Sequence, residues 1–135
     1  TIANAMDVGD PSNFARILDL YGHSHEAISA EISGVSYNDE QIADTMRNCK
    51  KETGYLLDPH GACGYQALKD GLKEGEMGVF LETAHPVKFP DAVERNTKEE
   101  QIIPASLEPM MQQPKQSIFM APGYQNLKEY LWNKV

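Results

Sequence analysis

The 135 residues, 41% of them hydrophobic and 24% charged, make one domain's worth of globular chain, which excludes the disordered and collagenous classes and, without a long apolar run, a membrane-spanning helix. Twenty acids against 12 Lys and Arg give a formal net charge of -8. That field repels phosphate backbones and anionic headgroups, so neither nucleic acid nor a membrane surface is an expected partner.

In chain order, the opening at Thr1 has no charged run leading into an apolar stretch and no initiator Met; it shows no signal-peptide pattern, and we expect a processed or truncated product. A helix is predicted over 11–21: Asp10 can cap it, Pro11 suits its first turn, Phe14, Ile17, Leu18 and Tyr21 recur at helical spacing, and Gly22 stops it. A shorter apolar-periodic stretch, 27–32, follows His23, His25 and Glu26. Asn38 with Gln41 three residues on resembles a capping box, and Ile42, Met46 and Cys49 form one stripe on a helix ending at Gly54.

From residue 55 short apolar runs alternate with amphipathic helices, the pattern of strand-helix-strand units. The runs are 55–57, 79–81 and 118–120. Asp58 and Pro59 cap and start a helix on which Tyr65, Leu68 and Leu72 share a face; a further helix is predicted over 89–95, and a last one carries Tyr124, Leu127, Leu131 and Trp132 on its inner side. Pro104, Pro109 and Pro114 confine any helix in 104–114 to a turn or two. The expected fold class is therefore α/β, a short, mostly parallel sheet flanked by helices, with residues 1–54 as a helical segment and 55–135 as the α/β segment of one domain.

In open parallel sheets ligands bind outside the carboxyl ends of the strands, where helix N-termini point free N–H groups into the crevice. That rule selects Asp58-Pro59-His60 and Glu82-Thr83-Ala84-His85-Pro86, in each of which a proline stiffens the loop that carries an imidazole. The competing reading makes Asp58 only a helix cap and Thr83 only a turn residue, because caps are far commoner than catalysts. His23, His25 and Glu26 lack the H-E-x-x-H register, so a solvated helix start is favoured over a metal site. Cys49 and Cys63 form no C-x-x-C and no disulfide framework and read as reduced core thiols of a cytoplasmic protein, with no nucleophile indicated. Lys88, between Val87 and Phe89, is the one lysine in apolar company that could form an imine, but snorkelling from a helix start is the favoured reading. No glycine-rich phosphate fingerprint is present.

Three segments in order, Asp7 to Phe14 (DVGDPSNF), Tyr55 to Gly61 (YLLDPHG) and Glu82 to Phe89 (ETAHPVKF), resemble the carboxyl-terminal part of the threonine synthase family. The resemblance implies about a third of a fold-type II, tryptophan synthase β-like enzyme, a lyase that uses pyridoxal phosphate to turn O-phosphohomoserine and water into threonine and phosphate. In that family a lysine holds the cofactor as a Schiff base, a glycine-rich loop holds its phosphate, and a hydroxyl residue faces the pyridine nitrogen. Only the hydroxyl has a counterpart here, Thr83. A hydroxyl can donate a hydrogen bond to a neutral ring nitrogen but cannot keep it protonated as a carboxylate does. Without the lysine segment the chain alone is expected to hold no cofactor, to contain no catalytic residue and to be inactive. Asp58 and His60 are read as supporting groups, and Ser12 and Asn13 as caps rather than substrate contacts. The alternative is a stand-alone acidic protein-interaction module, which an initiator codon just before Thr1 would favour. A truncated sheet would leave open edges, through which the fragment could self-associate.

Overall fold

The computed structural model describes residues 1–5, 8–100 and 102–133. Asp7, at the head of the first motif, lies outside the described residues. Helix α1, Phe14–Leu20, starts later than its pattern predicts, with neither Asp10 nor the N-cap residue Asn13 supplying a side-chain cap. The carbonyls of Pro11, Ser12 and Asn13 instead accept from the N–H groups of Phe14, Ala15 and Arg16, a tight lead-in that replaces the capping expected of Ser12 and Asn13. Gly22 ends it at φ +57°. Helix α2, His25–Glu31, begins where Ser24 Oγ accepts from the Ala27 N–H at 3.2 Å. Its start precedes the apolar pattern because a cap, not the first apolar residue, decides where a helix begins.

Helix α3, Asp39–Thr53, has the reciprocal capping box read from the sequence: Asn38 Oδ1 accepts from Gln41 N–H and Gln41 Oε1 from Asn38 N–H, both at 2.9 Å. Gly54 closes it in the left-handed region at φ +78°, with its N–H on the Lys50 carbonyl. Helix α4, Pro59–Gly71, follows the Asp58 cap; a 3-10 turn, Pro86–Lys88, leads into α5, Pro90–Thr97. Ile42, Met46 and Cys49 from α3, Leu57, Ala62 from α4 and Val93 from α5 make the core, bordered by Tyr65, Phe80 and Phe89. Full burial of side chains such as Met46, Leu57 and Val93 stabilises by about 1.5–3 kcal/mol each.

The α/β expectation is overturned. Among the described residues there is no strand and no sheet, only helices and connecting segments. A strand exists through the ladder it shares with a neighbour, and alternation in sequence reports the two faces of an extended run, not the presence of that neighbour. Residues 78–82 show the difference. Gly78 packs by Leu68 and Leu72, Phe80 by Gly64 and edge-on to Tyr65, and Glu82 against Gly61, so the run passes antiparallel along α4 on one set of alternate side chains. The other set, Val79 and Leu81, points away and is 87% and 78% exposed.

The chain divides into two compact units, Thr1–Ile102 and Ile103–Val135. In the second, α6, Glu108–Met111, is a single turn, as the spaced prolines require, and α7 spans Tyr124–Trp132. The Tyr124, Leu127, Leu131 and Trp132 face predicted to point inward is instead exposed, and with Lys128 it borders a cavity of about 620 Å³.

Candidate functional site

The sequence rule that selected the segments after residues 57 and 81 brings together three side chains. Asp58 is fully buried. Its Oδ1 accepts from Gly61 N–H at 2.8 Å and its Oδ2 from His60 N–H at 3.2 Å, satisfying two donors of the first turn of α4. The same Oδ2 lies 2.6 Å from His60 Nδ1, while His60 Nε2 accepts from the Ala5 N–H at 3.1 Å. Because Nε2 accepts, the ring proton sits on Nδ1 and is donated to Asp58. Its ring leans on Phe89 at 4.9 Å between centroids. His60 thereby ties the first residues of the chain to α4.

Glu82 comes from the opposite side. Its Oε1 accepts from Asp58 N–H at 3.4 Å, and its carboxyl occupies the space a Cβ on Gly61 would fill. Burial, with the hydrogen bond to Asp58 and the Asp58 charge, pushes the Glu82 carboxyl up to about 7. Burial alone would raise Asp58 too, but hydrogen bonds from Glu82, from the His60 ring and from the Gly61 and His60 N–H groups outweigh it and hold Asp58 below the usual carboxylate range. Below about pH 7 the pair thus divides into one carboxylate and one carboxylic acid. Burial and the Asp58 charge also raise the Cys63 thiol, while burial and the Glu82 charge raise the Tyr55 phenol.

Thr83, next in the chain, is exposed, and none of the hydrogen bonds among the described residues involves its hydroxyl. His85 serves as a cap: its Nδ1 accepts from Val87 N–H at 3.1 Å. Below it a cleft of about 320 Å³ is bordered by Lys50, Tyr55, His85 and Glu99. Lys88 is exposed with Nζ over the Phe89 ring at 5.5 Å, the snorkelling arrangement. His23 is exposed, His25 pairs with Ser29 Oγ, and among the described residues no group of three or more His, Cys, Asp or Glu is arranged to hold a metal ion. Cys49 is buried on its stripe and Cys63 half-buried, its Sγ donating to the Pro59 carbonyl; both are free thiols.

Sequence reasoning gave Glu82 no role of its own. The signal was available: Glu82 shares the parity of Gly78 and Phe80, the inward-facing set of an alternating run, and an acid on that side is a carboxyl taken out of water.

A family model described as "Threonine synthase, C-terminal" matches residues 61–131, more than half of the chain. The chain belongs to the threonine synthase C-terminal family. Among its relatives, the threonine synthase of Haemophilus influenzae is 39% identical and that of Serratia marcescens 37%, each over 97% of this chain and 30% of its own length. Two solved structures of the family resemble it. Threonine synthase from Escherichia coli superposes with a TM-score of 0.71 at 34% identity, over 100% of this chain and 31% of that one. Threonine synthase from Brucella melitensis, a structure with PLP bound, gives 0.78 at 28% identity over 98% and 34%. The chain therefore spans about a third of the length of its threonine synthase relatives, as the ordered motifs implied. The family match covers α4 from Gly61 onward, the 78–82 run and Thr83.

Proposed function

We propose that this chain is the carboxyl-terminal part of a pyridoxal-phosphate-dependent threonine synthase, a lyase acting on the small molecule O-phosphohomoserine and water to give threonine and phosphate. The carrying observation is the family match over residues 61–131, which includes Glu82 and Thr83, joined to a hydroxyl left facing solvent at the end of an otherwise anchored run. Bound pyridoxal phosphate would supply the electron sink for the carbanion chemistry. The residues present fit one contact to it: the Thr83 hydroxyl is accessible and uncommitted to other described side chains, as a donor to a pyridine nitrogen must be. Being neutral, it would orient the ring without holding a proton on it. Asp58, His60 and Glu82 touch no ligand in this reading; they fix the loop from behind. Residues 55–135 would then contribute to the cofactor-binding domain of the longer enzyme.

No described helix is long and apolar enough to cross a membrane, and the -8 charge disfavours nucleic acid and anionic lipid. We infer a cytoplasmic location from two free thiols. The uncovered Val79 and Leu81 side chains offer an apolar surface for self-association of the separate chain. The experiment is phosphate release from O-phosphohomoserine in the presence of pyridoxal phosphate. A polypeptide carrying this chain behind a lysine-bearing segment should release phosphate, and the 135-residue chain should not. Absence of release from the longer polypeptide would overturn the assignment.

A further inference from the structure

The Glu82 carboxyl has no part in holding a pyridine ring, yet its setting is built. Its Oε1 accepts from Asp58 N–H, its Oε2 is buried with no hydrogen-bond partner among the described residues, and its seat exists because residue 61 has no Cβ. Two carboxylates bring no donor between them. Oε2 is satisfied when it carries a proton and donates it to Asp58, the carboxylate with which the Glu82 side chain shares a hydrogen bond. The groups facing Glu82 are the Asp58 carboxylate and the His60 ring, whose Nδ1–H is already given to Asp58, from the start of α4, and the Tyr55 phenol from the run before it. None of them donates a hydrogen bond to Oε2.

We propose that Glu82 is a positioning residue for Thr83: its protonated carboxyl donates to the Asp58 carboxylate and clamps residues 78–83 onto the first turn of α4, and loss of that proton to solvent releases the clamp. The proposal rests on the Thr83 reading only for its consequence in catalysis; the clamp itself is a property of this chain. Release follows because two adjacent carboxylates repel in a site partly withdrawn from water. The Thr83 hydroxyl, one residue along, then loses its fixed direction.

Proton titration with NMR detection on the 135-residue chain, from pH 5 to 9, tests it by following the Glu82 carboxyl carbon and the Thr83 γ-methyl. Both should move with one common midpoint, near 7. Glu82→Gln, which keeps a donor facing Asp58 and cannot ionise, should hold the Thr83 methyl at its acid-side position throughout. Gly61→Ala changes no titratable group but fills the seat with a methyl, and it should abolish the coupling even if Glu82→Gln fails to fold. A Thr83 methyl that stays still in the unmodified chain, that moves with a midpoint different from Glu82, or that remains coupled in Gly61→Ala overturns the clamp. Thr83→Val leaves the Glu82 midpoint unchanged if the clamp is right, so full turnover by that variant in the longer enzyme would remove the cofactor reading alone.

Discussion

Replacing Asp58 separates two of its duties, capping α4 and accepting the hydrogen bond from His60 Nδ1–H. Asp58→Ala removes both acceptors and strands the Gly61 N–H, the His60 N–H and His60 Nδ1–H around a fully buried position. Loss of a cap costs about 0.5–2 kcal/mol. That cost already includes the Gly61 and His60 N–H groups; the His60 Nδ1–H left unmade adds about 1–3 kcal/mol, and water entering the vacated space offsets part of it. The sum for Asp58→Ala is about 2–4 kcal/mol, a large share of the roughly 5–15 kcal/mol that holds a small domain. Asp58→Asn keeps one oxygen for the helix but loses the charge-assisted bond to His60, and should cost about 1–2 kcal/mol. Urea unfolding followed by far-UV circular dichroism reads both, provided the slope with denaturant is unchanged. Equal effects of the two variants, or less than about 1 kcal/mol for Asp58→Ala, would refute the geometry described for the site.

Three further outcomes follow from the same contacts. Because the folded state raises Glu82 from 4.5 to about 7, its contribution is fully present below pH 4.5 and lost as pH rises through 7; discounted for solvent screening, unfolding stability should fall by about 1–2 kcal/mol across that window, and Glu82→Gln should flatten the slope. A profile rising between pH 5 and 7 in the unmodified chain and unchanged in the variant would contradict the assignment. Asn38→Ala breaks the α3 capping box and should cost about 1 kcal/mol in urea unfolding, with no change in the Glu82 midpoint. Mixing the 135-residue chain with pyridoxal phosphate and reducing with borohydride should give no selective Lys88 adduct by peptide mass spectrometry, since that exposed amine already rests over the Phe89 ring; stoichiometric labelling at Lys88 would return it to the chemistry.

What could be read in advance was local. The Asn38-Gln41 box, the Gly54 stop and the Asp58-Pro59 start depend on residues within a few positions of one another, so the sequence pattern and the hydrogen bonds coincide. The sheet was not legible, because pairing is a property of a second backbone, and the 78–82 run meets helix α4 instead. The same limit hid the site's electrostatics. Asp58 was visible as a cap, but its partnership with Glu82 spans 24 residues and is created by the return of the chain along α4. The Ala5 contact to His60 spans 55 and had no sequence signal of its own. The family resemblance supplied Thr83; the contacts supply a reason for the loop behind it to stay in place.

The most direct measurement is turnover of O-phosphohomoserine by the complete enzyme with Thr83 replaced by Val and, separately, by Ser. Removing one neutral hydrogen bond to the cofactor ring should lower turnover roughly ten- to hundred-fold in Thr83→Val, corresponding to about 1–3 kcal/mol, while Thr83→Ser stays within a few-fold and both keep the unfolding midpoint. Thr83→Val turning over at the unmodified rate would contradict the account at its centre.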